Sequence, residues 1–385
     1  MKRKLRMGMV GGGKESFIGA VHRKAALMDG KIDFVAGALS SNRRKSMESA
    51  EELFLSENRS YGSWIEMLDK ESKLPQSDRI DFVSIVTPNH THYPIAKAFL
   101  ESGFNVVCDK PMTYSLSEAK DLIRIVEKSN LVFALTHNYT GYPMVKQARY
   151  MVENGDLGEI IKIIVEYPQG WLLSPIEKKG HKQASWRTDP SCSGVSNCMG
   201  DIGSHCENLV NYITRLKIKE VCADIMSIED RKLDNDGNVL LRFESGASGI
   251  LHASQISIGE ENNLNIRIYG NKGSIEWHQE EPNSMWFKTN DAPAKLYKRG
   301  NDYLCESAKK NSRLPAGHPE SFIEAFANIY TNAATTIDCK INGTTPDEFN
   351  LDFPNVLDGA RGMAFIESII ESGNSDEKWY PMKEY

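Results

Sequence analysis

From residue 5 to about residue 137, short apolar runs alternate with stretches of helical spacing. The runs are Leu5–Val10, Ile32–Leu39, Ile80–Val86, Asn105–Cys108 and Leu131–Thr136, and each is short enough for one strand. Between the later runs, Ile95, Ala98 and Phe99 recur at offsets of three and four, as do Leu122, Ile125 and Val126, which predicts helices. Strands alternating with helices predict a parallel sheet covered on its faces, the doubly wound layout of nucleotide-binding proteins.

Beyond about residue 155 the pattern changes to longer alternating strands joined by tight turns, which predicts a mostly antiparallel sheet. Asn238–Phe243 and Ser248–Ile256 flank Glu244-Ser245-Gly246-Ala247, while Leu264–Tyr269 and Ser274–His278 flank Gly270-Asn271-Lys272-Gly273. Both pairs read as hairpins. From Pro319 to Ile337 helical spacing returns, with Phe322, Ala325, Phe326 and Ile329 on one face. No internal repeat and no low-complexity linker interrupts the chain.

With 385 residues and 40% hydrophobic composition, the chain is long enough for two domains with their own cores. The net charge of -6 comes from 52 acidic and 46 basic side chains spread along the sequence. No basic surface stands out, so nucleic acid is not an expected partner. Lys2, Arg3 and Lys4 run straight into Leu5–Val10 and then glycines, without the apolar segment of a signal peptide. No run approaches the roughly 18 apolar residues that a membrane span needs, and the expectation is a soluble, cytoplasmic protein. The seven cysteines are odd in number and scattered through a chain too large to need disulfide staples, and read as reduced thiols. Cys192, Cys198, His205 and Cys206 lack the CxxC and HxxxH spacings of zinc ligands, so no metal is expected.

Gly11-Gly12-Gly13 directly follows the first strand, where a tight turn lets backbone N–H groups approach a pyrophosphate at a helix N-terminus. The usual spacing is disturbed: Gly11 and Gly13 supply GxG, but Gly19 follows after five residues rather than two, which places an insertion within Lys14–Ile18. After the second strand a carboxylate would receive the ribose hydroxyls, and an arginine suits a 2′-phosphate. This chain has Ser40-Ser41-Asn42-Arg43-Arg44 there, which leaves NAD(H) and NADP(H) both open; alternatively both arginines are solvated.

The third strand ends in Thr87-Pro88-Asn89-His90-Thr91-His92 and the fourth in Cys108-Asp109-Lys110-Pro111, both at the carboxyl edge where open α/β sheets bind ligands. A lysine there can steady a developing alkoxide or hold a substrate hydroxyl; the plainer reading is an exposed helix-start lysine. A helix beginning at Gly200 would align Asp201, His205, Asn208 and Tyr212 at offsets of four, three and four, opposite an apolar stripe of Cys206, Leu209, Val210 and Ile213. A histidine one turn after an acid can take a carbinol proton; the alternative is a solvated polar face.

In this order the motifs Met9-Val10-Gly11-Gly12-Gly13, Thr87-Pro88-Asn89-His90-Thr91-His92, Asp109-Lys110-Pro111, Gly200-Asp201-Ile202-Gly203-Ser204-His205 and Gly317-His318-Pro319-Glu320-Ser321-Phe322 resemble the glucose-fructose oxidoreductase and inositol dehydrogenase family, Gfo/Idh/MocA. The resemblance covers nearly the whole chain. It implies an N-terminal Rossmann domain over residues 1–138. A substrate and oligomerisation domain would follow over residues 139–385, an α/β domain with a large open, mostly antiparallel sheet, its final helices able to pack back on the first. The implied catalytic trio is Lys110 on the family's Glu-Lys-Pro lysine, Asp201 as the substrate-binding acid and His205 as general base, with Asp109 replacing the usual glutamate.

The implied cofactor contacts are Gly11, Gly13, Phe17, Ile18, Ser40, Ser41, Arg43, Thr87, Pro88, Asn89, His92, Asp109 and Lys110. For the substrate, Tyr139, Tyr142, Tyr167, Trp171, Trp186 and Arg187 offer aromatic bodies with polar tips that suit a sugar ring; ordinary core aromatics are the alternative. Tyr139, Tyr167, Trp186, Arg187, Asp201 and His205 form the expected substrate set. The expected function is hydride transfer between NAD(P) and a secondary hydroxyl of a sugar, glycoside or cyclitol, with C3 of a glucoside as the specific position, in a homodimer or homotetramer. A redox-neutral NAD-dependent glycosidase and a non-catalytic dinucleotide-binding regulator are the competing readings.

Overall fold

The computed structural model describes residues 1–14 and 16–385. In chain order its elements are β1 (Leu5–Gly11), α1 (Phe17–Leu27), β2 (Ile32–Ala38), α2 (Arg43–Glu52), α3 (Trp64–Lys73), β3 (Phe82–Val86), α4 (His92–Glu101), β4 (Asn105–Cys108), α5 (Leu116–Ser129), β5 (Phe133–Leu135), α6 (Pro143–Glu153) and β6 (Ile160–Pro168). There follow α7 (Lys182–Arg187), α8 (Pro190–Ser193), α9 (Ser204–Thr214), β7 (Ile218–Met226), β8 (Asp236–Phe243), β9 (Ser248–Ser254), β10 (Asn265–Gly270), β11 (Ser274–His278), β12 (Ser284–Lys288), β13 (Lys295–Lys298), α10 (Glu306–Lys310), α11 (Phe322–Ile341), α12 (Val356–Gly373) and β14 (Tyr380–Pro381). Two compact units emerge: Met1–Asn138 with Ile323–Ala360, and Tyr139–Phe322 with Arg361–Tyr385.

In the first unit the described strands form a five-stranded parallel sheet in the order β2-β1-β3-β4-β5. Every residue of β3 and β4 is buried, as a sheet covered on both faces requires. The order reverses between β1 and β3, and the carboxyl ends at that switch carry Gly11, Thr87 and Asp109, the place where open sheets of this kind hold ligands. Helices α1, α2, α3 and α5 start on side-chain caps from Ser16, Asn42, Ser63 and Ser115. The last strand is shorter than the apolar run Leu131–Thr136, and on its open edge the Leu135 N–H donates to Pro354 O at 2.8 Å.

In the second unit nine strands run β13-β12-β11-β10-β6-β9-β8-β7-β14, antiparallel except where β6 pairs with β9. Alternation is clearest in β8, whose Gly237, Val239, Leu241 and Phe243 are buried. Both hairpins expected from the sequence are present, β8–β9 and β10–β11. The helix expected from Pro319 begins at Phe322. The segment before it is pinned elsewhere: Arg299 donates to His318 O and to Glu320 Oε1, and the Glu320 N–H donates to Asn283 Oδ1 at 3.1 Å. Among the described residues no helix is long and apolar enough to cross a membrane.

Candidate functional site

The glycine loop of the first unit is shaped by contacts that only glycine allows. Gly11 and Gly12 adopt φ of 80° and 70°, where other residues are strained. A Cβ on Gly11 would run into Val86 O, and one on Gly13 would press on Leu39 O and the Ser49 side chain. Gly19 packs so closely on Gly12 that its Cβ would overlap the Gly12 Cα. Gly19 therefore does the close packing of a dinucleotide loop despite its displaced spacing; of the insertion expected within Lys14–Ile18, Glu15 lies outside the described residues. Ser16 caps that 11-residue helix by accepting the Gly19 N–H. Phe17 is 70% exposed at its start, and Ile18 is half-buried.

After β2, Ser40 Oγ accepts the Asn42 N–H at 3.2 Å, and Ser41 is exposed. Arg43 reaches Glu66 at 2.8 Å and Arg44 reaches Glu48 at 2.9 Å. Both guanidiniums are exposed and ion-paired.

At the end of β3, Thr87 and Pro88 are half-buried and Asn89 is buried. His92, expected among the cofactor contacts, is instead fully buried, its ring nitrogens 2.7 Å from Pro111 O and 2.8 Å from Thr87 O. Backbone carbonyls face both nitrogens, and the neutral ring donates its single N–H to one of them, so the imidazole sits between the β3 and β4 loops. Asp109, expected in the same set, also turns inward. Its Oδ1 accepts the Lys110 N–H at 2.9 Å and the Thr136 hydroxyl at 3.1 Å, and its Oδ2 lies 3.9 Å from His22 Nε2. Burial opposes its charge, but His22, Lys110 and His92 outweigh that and hold the carboxyl well below the usual range. Behind it, His22 Nδ1 is 2.7 Å from the Tyr330 hydroxyl, which is 2.7 Å from Ser84 Oγ. Lys110 follows Asp109 directly, at the carboxyl edge of the sheet, with a cis bond to Pro111.

In the second unit the helix expected from Gly200 is preceded by a five-residue π turn, Met199–Gly203, in which Ser204 donates its N–H to Met199 O. Such turns recur at functional sites. The polar face of α9 is not solvated: His205, Asn208 and Tyr212 are buried alongside Cys206, Leu209, Val210 and Ile213. Asp201, in the π turn, accepts from Arg187 Nε at 3.2 Å and from Gln255 Nε2 at 3.0 Å, both on Oδ2. Arg187 also lies over the Trp186 ring, 4.3 Å from its centroid. Trp186 and Trp171 are half-buried and donate to Gln183 and Gln169.

Tyr139 and Tyr167, expected as aromatic platforms for a sugar with ordinary core aromatics as the alternative, are only 4% and 3% exposed. Their hydroxyls bond each other, and Tyr167 donates to Asn262 Oδ1 at 2.7 Å. The Tyr139 ring meets His205 edge-on at 4.7 Å, with Tyr167 at 6.2 Å. These two residues wall in the imidazole. Burial pushes Tyr139 up to about 12 and Tyr167 well above its ordinary value, so both stay neutral. Tyr142 is equally buried, its hydroxyl accepting from Gln279 at 3.2 Å. Gln255 and Asn262 were not singled out from the sequence, and no local pattern marks either. Among the described residues no group of three or more His, Cys, Asp or Glu side chains could hold a metal ion.

Residues 5–150 match the model of the oxidoreductase family with an NAD-binding Rossmann fold, and residues 145–276 match the GFO/IDH/MocA C-terminal domain. The uncharacterised oxidoreductase YfiI of Bacillus subtilis is 33% identical over all of this chain and 98% of its own length. The chain belongs to the Gfo/Idh/MocA family. An inositol dehydrogenase homolog from Azotobacter vinelandii, crystallised with NAD+, aligns at a TM-score of 0.93 with 33% identity, over 98% of this chain and 97% of that one. Its complex with NADH and myo-inositol aligns at 0.91 with 32% identity, over 98% of each chain. The levoglucosan dehydrogenase of Pseudarthrobacter phenanthrenivorans is 28% identical over 73% of this chain and 75% of its own. This Gfo/Idh/MocA Rossmann unit is an NAD-binding one, and its own residues fit the dinucleotide: a glycine loop too close-packed for side chains leads into a capped helix N-terminus.

Proposed function

We propose that this enzyme oxidises or reduces a secondary carbinol of a sugar, glycoside or cyclitol with NAD(P), and that His205, Asp201 and Lys110 carry the reaction. The observation that supports it most is the Asp201–His205 arrangement. A carboxylate with two donors on one oxygen stands four residues before an imidazole enclosed by two neutral tyrosines. Such a carboxylate is an acceptor for substrate hydroxyls, and such an imidazole is largely shielded from bulk water.

In oxidation the substrate hydroxyl gives its proton to the His205 imidazole. The Lys110 ammonium steadies the same oxygen as negative charge builds on it, and Asp201 accepts a neighbouring hydroxyl and so sets the ring's orientation. The bound cofactor supplies the hydride acceptor. A fixed base of this kind contributes ~10²–10⁴-fold in rate. Trp186 and Arg187 would recognise the sugar beside Asp201, and we assign C3 of a glucoside as the oxidised carbon. We further propose a homodimer or homotetramer in the cytoplasm, where the seven free cysteines stay reduced. Light scattering that finds a monomer at micromolar concentration would overturn the oligomer.

The test is absorbance at the reduced-nicotinamide band, with NAD or NADP and a panel of myo-inositol, levoglucosan and methyl β-glucoside. Growth of the band with one class establishes the dehydrogenase and selects the cofactor. No growth with any of them, together with release of methanol from the glucoside, would replace this reading with a redox-neutral glycosidase.

A further inference from the structure

We infer that Gln255 is the positioning residue that fixes the Asp201 carboxylate for the substrate; this rests on the substrate-binding role proposed for Asp201. Gln255 follows β9 and has no exposed surface. Its backbone is clamped on both sides: the N–H donates to Asn235 O at 2.8 Å, and the carbonyl accepts the Leu172 N–H at 2.9 Å. The side chain leaves this fixed point and bridges two groups. Nε2 donates to Asp201 Oδ2 at 3.0 Å, and Oε1 accepts from Asn197 Nδ2 at 2.9 Å.

The chain of bonds can run only one way. Asn197 Nδ2 also donates to Asp234 O at 3.2 Å, so its amide presents hydrogens to Gln255. The Gln255 amide must then present its own hydrogens to the carboxylate, since a carbonyl facing a carboxylate would repel it. The far end is anchored as well, because the buried Asp234 carboxylate accepts the N–H groups of Asn197 at 2.7 Å and Met199 at 2.6 Å. Asp234 and Gln255 thus grip the π turn that carries Asp201 from two directions.

The Asp201 side chain is half-buried at the edge of the π turn, where its carboxylate takes its direction from the donors that bind it. Gln255 supplies one such donor from a fixed point without adding charge of its own. Leucine in its place would fill the space but give no donor. Glutamate would give a donor only while the new carboxyl is protonated.

The experiment compares wild type with Gln255→Leu, Gln255→Glu and Asp201→Ala, using whichever of myo-inositol, levoglucosan and methyl β-glucoside is oxidised. Expected for Gln255→Leu is a loss of kcat/KM for the sugar on the order of ten- to a hundredfold, with the Kd for NADH unchanged. Gln255→Glu places two carboxyls in contact, which share one proton. Arg187 faces that pair, Asp234 stands behind Asn197, and Tyr139, Tyr167 and Cys198 feel the Asp201 charge. Its sugar kcat/KM should therefore fall with rising pH along a limb absent from wild type, while NADH binding stays level. A structural role alone would not move that limb.

Gln255→Leu at wild-type kcat/KM, or Gln255→Glu with the wild-type pH profile, overturns the inference. If the leucine variant does not fold, the glutamate profile decides alone. If Asp201→Ala leaves kcat/KM unchanged, or no member of the panel is oxidised, the reading of Asp201 itself has failed and the inference falls with it.

Discussion

Gly19 of α1 lies directly on Gly12 of the preceding loop, with no space between them for a side chain. Gly19→Ala must push helix and loop apart, at a strain of about 1–3 kcal/mol. Expected are weaker NADH binding by fluorescence titration and a lower Tm. Binding at wild-type strength would show that this contact does not shape the cofactor loop.

His205 is enclosed by Tyr139 and Tyr167 in a unit that does not contain the glycine loop. His205→Ala should lower kcat by roughly 10²–10⁴-fold and leave the Kd for NADH unaltered. Unchanged turnover would remove His205 from the base role.

Burial lowers the affinity of the His92 imidazole for protons, against the pull of the Asp109 charge and of two carbonyls. The unfolded chain binds that proton near pH 6.5, and the folded chain binds it only at lower pH. The stability this group contributes is therefore complete above about pH 6.5 and is lost as pH falls from there through the folded value. Melting curves of wild type and His92→Gln at pH 7.5 and pH 5 test this: the difference in Tm should narrow, or reverse, at the lower pH. A constant difference would mean that His92 titrates alike in both states.

Arg299 and Glu320 form a buried ion pair, at 2.8 Å, that holds the segment ahead of α11. Removing one partner of such a pair leaves a buried charge and costs about 3–5 kcal/mol. Glu320→Ala should lower the urea midpoint clearly, while any folded fraction keeps its affinity for NADH. A midpoint within error of wild type would show the pair to be dispensable.

Much of this was legible in the sequence. The strands of the first unit read correctly because each is a short apolar run, and the two hairpins because glycine marks their turns. The polar face of α9 was legible too, but whether it met water or protein was not, since that depends on β6, β9 and the 170–195 excursion. The hydroxyl pairing of Tyr139 with Tyr167 joins residues 28 positions apart, and no local pattern announces it. Gln255 and Asn262 carry no signature at all. His92 and Asp109 lay within the expected motifs, but the direction of their side chains follows from Pro111, His22 and Thr136, which pack against them only in the fold. The displaced Gly19 was visible as an irregularity, and its contact with Gly12 shows that distance along the chain matters less than where α1 begins.

The π turn at Met199–Gly203 fits one residue more into its loop of bonds than an α-helix would. Loss of a single residue there would return the helix to regular winding and swing Asp201 about 100° around the axis, away from Arg187 and Gln255. Chain length is therefore rigidly set at this point. The excursion between β6 and the π turn lies outside the sheet's strands, but Leu172 and Arg187 tie it to Gln255 and Asp201. A change of length on either side of Asp201 would therefore disturb the register of the acid and the base together.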